Sequence, residues 1–140
     1  MHRTVVKSEI SNIRVTHFWL NDPASITIDQ DVLDAADILP GEVVSVLCEI
    51  SGMRSEQHVV AGCRGSGTVA IKAVGGQRVE PGDRLVVISY ALVTDAEARR
   101  FAARRVGVDG ANRVVHGAAQ PEEPAAEDRE PAAQSAALRP

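Results

Sequence analysis

Short apolar runs rich in β-branched residues, each closed off by Gly, Pro, Asn, Asp or Ser, fill the first hundred positions. They are Thr4 to Ile10, Ile13 to Phe18, Ile26-Thr27-Ile28, Val43 to Ile50, His58 to Ala61, Val69 to Ile71 and Leu85 to Val93. Runs of this length with such boundaries predict the strands of a sandwich or barrel. Two helices interrupt them. One covers about Gln30 to Ile38, with Asp29 as N-cap and Pro40-Gly41 as the stop. The other covers about Asp95 to Ala103, where Thr94 and Glu97 have the spacing of a capping box. Leu39-Pro40-Gly41-Glu42-Val43-Val44 is echoed by Glu80-Pro81-Gly82-Asp83-Arg84-Leu85, and each copy leads into a long apolar strand. Two similar turns explain this echo as well as duplication does; duplication would favour a closed barrel of two interlocked halves.

The pattern changes near Gly117. From there to Pro140 the chain is rich in Ala, Pro, Glu and Gln, and it holds four of the seven prolines. It carries Glu122, Glu123, Glu127, Asp128 and Glu130 against Arg129 and Arg139. With almost nothing to bury, 117–140 reads as a disordered acidic tail, and 1–116 as the folded domain. The tail takes most of the net charge of −4, so the body is near neutral.

Composition excludes several functions. At 44% hydrophobic and 24% charged, the 140-residue chain is an ordinary globular protein. Aromatic residues make up 3%, too few for a base-stacking platform, and the charge balance argues against a nucleic-acid or anionic-membrane face. The N-terminus lacks the apolar core of a signal peptide, and no apolar run approaches a membrane span. A cytoplasmic location is the simplest expectation. Cys48 and Cys63 form neither a disulfide framework nor zinc-site spacing, so no metal is expected. No P-loop, GxSxG or HExxH motif is present. His2, His17, His58 and His116 are scattered, and Gly62 to Gly67 is glycine-rich without Rossmann or Walker spacing.

The segment from Asp22 to Glu42 is more specific. It sets Ser25 at the head of a strand and a capped helix shortly after. Together with Arg3-Thr4, Val15-Thr16-His17, Gly52 to Arg54, Arg64-Gly65-Ser66, Pro81-Gly82-Asp83 and Asp95 to Arg99, it resembles the pyruvoyl-dependent aspartate 1-decarboxylase family over roughly the first hundred residues. The resemblance implies a mainly β fold, a double-psi β-barrel with two short helices. It also implies a homotetramer with sites between subunits, acting on a small-molecule substrate. Ser25 would be the catalytic precursor: its hydroxyl attacks the Ala24 carbonyl, the chain is cut between Ala24 and Ser25, and Ser25 becomes the pyruvoyl cofactor. Arg54 would bind a substrate carboxylate bidentately.

Against the family pattern, this sequence is divergent around the site. Ala24 stands where glycine is usual, which narrows the backbone freedom from which the acyl shift starts. Asp22 and His58 each replace a tyrosine, the second being the family's proton donor; histidine can serve that role near neutral pH. Gln57 replaces the threonine that polarises the scissile carbonyl, Lys72 replaces an asparagine, and Ala73-Val74-Gly75 replaces Gly-Ala-Ala. Glu9 replaces a lysine that pairs with a carboxylate of aspartate, and Ser11 a histidine. A carboxylate at position 9 disfavours a dianionic substrate. The expected activity is therefore that of an α-amino-acid decarboxylase whose substrate need not be L-aspartate; one with a single carboxylate, or with a cationic group facing Glu9, fits the charges better. Two alternatives stay open. One is an uncleaved barrel, without a cofactor, repurposed as a cyclase or isomerase in specialised metabolism, with Trp19 joining Glu9, His58 and Lys72 in the pocket lining. The other is an inactive paralogue that co-assembles with a true decarboxylase.

Overall fold

The computed structural model describes residues 1–20, 24–73 and 78–119. The chain is mainly β, a double-psi β-barrel with two short helices. The strands are β1 (His2–Arg14), β2 (His17–Leu20), β3 (Ser25–Asp29), β4 (Val43–Cys48), β5 (Arg54–Gly62), β6 (Val69–Ala73), β7 (Arg84–Thr94), β8 (Arg104–Val108) and β9 (Val114–Ala119). Helix α1 (Gln30–Ala36) follows β3 and α2 (Asp95–Ala98) follows β7. The hydrogen-bonded order is β2-β6-β3-β5-β4-β7-β1-β8-β9.

Period-two alternation sends one face of each strand inward. Ile10, Ile13, Ile26, Ile28, Val44, Val46, Val59, Ile71, Leu85 and Val87 are all buried, and α1 closes over them with Val32, Leu33 and Ala36.

The repeated Pro-Gly turns have one bonding pattern. Gly41 and Gly82 both adopt φ of 95°, a conformation that favours glycine. The Glu42 carboxylate accepts from the Leu39 N–H at 2.8 Å, and the Asp83 carboxylate from the Glu80 N–H at 2.9 Å. Gly41 donates to the Val59 carbonyl and Gly82 to the Val15 carbonyl, while Val59 and Val15 donate back to Glu42 and Asp83. The echo in the sequence is thus an echo in structure, with the β1 end and mid-β5 in equivalent places.

Some boundaries differ from expectation. The first two runs divide otherwise: β1 passes through Asn12, which takes φ of 69° at a register shift, and β2 starts at His17. Helix α1 ends at Ala36 because Asp37 turns left-handed and donates to Asp34 and Leu33 carbonyls, which folds Ile38 into the core. The predicted second helix is only Asp95–Ala98. Its capping box is present, but no residue of it is buried, so nothing pays for further turns. Strands β8 and β9 were not foreseen. β9 keeps pairing as far as Ala119, opposite Arg104. The remainder of the acidic tail lies outside the described residues.

Candidate functional site

The register of three strands composes the site. Ser25 opens β3, with His58 of β5 as its parallel partner and Lys72 of β6 as its antiparallel partner. Lys72 is in turn opposite Trp19 of β2, and His58 opposite Val43 of β4. Cross-strand partners share a face. The row Trp19, Lys72, Ser25, His58, Val43 therefore runs over the outer face of the barrel, because the next row, Ile71, Ile26 and Val59, faces the core. Ser25 is 5% exposed, whereas Trp19 and Val43 at the ends of the row are exposed. Trp19 stacks on His17, with ring centroids 5.5 Å apart and planes 7° apart. The side chains of His58 and Lys72 have no hydrogen-bond or charge partner among the described residues.

Gln57 faces the other way. It is buried, its partner on β4 is Val44, and one step back in the parallel register puts it beside Ala24. Its amide donates to Ser55 Oγ at 2.9 Å, and its Oε1 is buried without a partner. Such an orphaned polar atom is costly and calls for a use. Exchanging amide oxygen and nitrogen lets the Ser55 hydroxyl donate to Gln57 and leaves the Gln57 NH2 as the free group.

Two expected substrate-binding residues lie elsewhere on the chain. Arg54 is exposed, on the same face of β5 as His58 but four residues earlier, about 13 Å along the strand. Glu9 is on β1, separated from β3 by β5, β4 and β7. Its Oε1 accepts from Arg105 Nη1 at 2.9 Å, a half-buried ion pair across the parallel β1–β8 ladder. So a single chain unites Ser25, His58, Lys72 and Gln57, and does not bring Arg54 or Glu9 to them. Asp22, Pro23, Val74 and Gly75 lie outside the described residues.

The far end of β3 carries a cluster that sequence reasoning recognised only as an N-cap. The buried Asp29 carboxylate accepts from the N–H groups of Asp31 at 2.8 Å, Gly67 at 2.9 Å and Gly65 at 3.1 Å. Burial alone would push this carboxyl up. The three N–H donors and nearby Arg113 together outweigh it, holding Asp29 below the ordinary carboxylate value. Buried Asn112 bonds both the N–H and the carbonyl of Arg14 and the Gly67 carbonyl. Gly67, at φ of 69°, is so close that a Cβ there would stand 2.6 Å from the Ala111 carbonyl oxygen. The glycine-rich turn thus serves the Asp29 end of β3 rather than the Ser25 end. The signal for Asn112 was slight: one Asn in a Gly-containing turn.

The family model for aspartate decarboxylase matches residues 1–115. A protein named aspartate 1-decarboxylase from Pelotomaculum thermopropionicum is 43% identical over 115 residues, spanning 82% of this chain and 87% of its own.

Proposed function

This chain belongs to the aspartate decarboxylase family, and from that membership we propose a pyruvoyl-dependent α-amino-acid decarboxylase that cuts itself between Ala24 and Ser25. The observation that carries the reading is the buried Ser25 between His58 and Lys72, with an unsatisfied amide of Gln57 one step back. These residues fit a carbonyl group formed at position 25.

In maturation the Ser25 hydroxyl adds to the Ala24 carbonyl. The amide C–N bond breaks as an ester C–O bond forms, and the hydroxyl proton ends on nitrogen. Elimination leaves Ala24 as a carboxylate terminus; water then converts the unsaturated residue to a ketone and releases ammonia. Gln57 supports this step by donating its free N–H to the Ala24 carbonyl as charge builds there. Alanine at position 24 slows the step relative to glycine without forbidding it.

In turnover, the pyruvoyl ketone would supply, through the nitrogen of the substrate amine, the electron sink for the pair left on the substrate α-carbon when carbon dioxide departs. Ser25 is 5% exposed, which limits the water around position 25 during turnover. His58, on the parallel neighbour strand, delivers the proton that replaces carbon dioxide. Arg54, contributed by a second copy of the chain, clamps the substrate carboxylate. A homotetramer is supported by the exposed Trp19, Val43 and Val60 on the strands of this outer face, a surface that another copy would cover.

Glu9 spends its charge on Arg105, so position 9 offers no cation to the second carboxylate of aspartate. The substrate we infer is an α-amino acid with a single carboxylate. Glu9→Lys gives the test of that charge argument: the cleaved variant should gain aspartate turnover, and no gain would remove Glu9 as the cause.

Denaturing intact-mass spectrometry on fresh and aged protein tests the whole reading. Two fragments divided between Ala24 and Ser25, the larger beginning with a ketone, are expected. A single chain after prolonged warming would overturn it in favour of the uncleaved barrel.

A further inference from the structure

The register around Ser25 leaves one reactive group unexplained: the primary amine of Lys72. Lys72 is the antiparallel partner of Ser25 itself, on the same outer face. Side chains so placed stand on the order of 5 Å apart at Cβ, and the lysine stem carries its amine through four flexible carbons. Nothing among the described residues holds that amine elsewhere. Among the described residues it forms no ion pair, no hydrogen bond and no cation–π contact. On its other side stands Trp19, whose indole is held flat against His17, and His17 Nδ1 is in turn within 2.9 Å of Thr16 Oγ1. The indole offers the amine no acceptor, and no carboxylate belongs to the row. Ser25 is nearly sealed from water, which favours condensation over hydrolysis at that position.

We propose that in the matured protein Lys72 forms an internal imine with the ketone at position 25, holding it until a substrate amine displaces the lysine. This rests on the self-cleavage reading above. The balance is simple. The Lys72 nitrogen adds to the ketone carbon, one C=N bond replaces C=O, one water leaves, and nothing is oxidised or reduced. A substrate amine then exchanges with lysine at the same carbon, returning the Lys72 amine to the site beside the reacting atoms.

The test is reduction of dialysed, substrate-free protein with cyanoborohydride in an amine-free buffer, followed by intact-mass and fragment analysis of the larger chain. The internal imine predicts a chain lighter than the ketone form by one oxygen atom, with fragments joining its N-terminus to Lys72. Lys72→Arg keeps the charge, cannot form the linkage, and should show no loss of oxygen. A cleaved wild-type chain that stays a ketone or gains only two hydrogens would overturn the imine and leave the decarboxylase reading standing. Loss of oxygen persisting in Lys72→Arg would overturn it too, by assigning the linkage to another amine. An uncleaved chain would overturn both.

Discussion

Strand β3 is five residues long, and its two ends are built on opposite terms. At the Asp29 end, the carboxylate meets three backbone N–H groups, and Asn112 ties β1 to the glycine turn with three more bonds. At the Ser25 end, His58 and Lys72 have no partner among the described residues, and one polar atom of the Gln57 amide is orphaned. One end spends its polar groups on holding the strand in place; the other keeps them unspent. A rigid anchor four residues from a loosely satisfied centre is what positioning requires, since reactive groups help only if the backbone beneath them does not drift.

The sharpest way to break this comparison is Ser25→Ala. It should abolish chain cleavage and all turnover, yet change stability by no more than about 1 kcal/mol. Intact mass, a carbon dioxide assay and urea unfolding report the three quantities. Asp29→Ala should do the reverse. Losing the cap and orphaning two further N–H groups should cost about 2–4 kcal/mol, read by urea unfolding at fixed chain concentration.

Acid sharpens the same contrast. The folded Asp29 carboxyl titrates below its unfolded value, so the unfolded chain takes up the proton first. Its contribution is complete above about pH 4 and is lost as pH falls through the folded value. Asp29→Asn should therefore flatten the acid limb of a stability–pH curve, and an unchanged limb would remove Asp29 from it.

Gln57→Leu is subtler, because it deletes an orphaned polar group while keeping the bulk. Stability should hold or rise slightly, and cleavage should slow roughly tenfold, the worth of about one hydrogen bond in the transition state. Lost stability with unchanged cleavage would move Gln57 to the anchoring side of the comparison. The smallest effect is expected from ending the chain after Gln120. β9 is left whole, and stability should shift by less than about 0.5 kcal/mol in thermal unfolding.

Local chemistry made much of the fold legible. Asp29 capping α1, the Thr94–Glu97 box and the paired Pro-Gly turns each depend on residues within a few positions of one another, so the sequence itself carries them. Resemblance singled out Ser25, His58, Lys72 and Gln57, but neighbourhood was beyond it. That His58 and Lys72 both lie against Ser25 follows from one parallel and one antiparallel ladder between strands far apart in the chain. That Glu9 is answered by Arg105, 96 residues away, required the unforeseen β8 to lie parallel to β1. Period two fixes the side of a strand on which a residue stands but not the strand beside it. Only closure of the barrel sets that register, because burying every inward face at once leaves few ways to pair the strands.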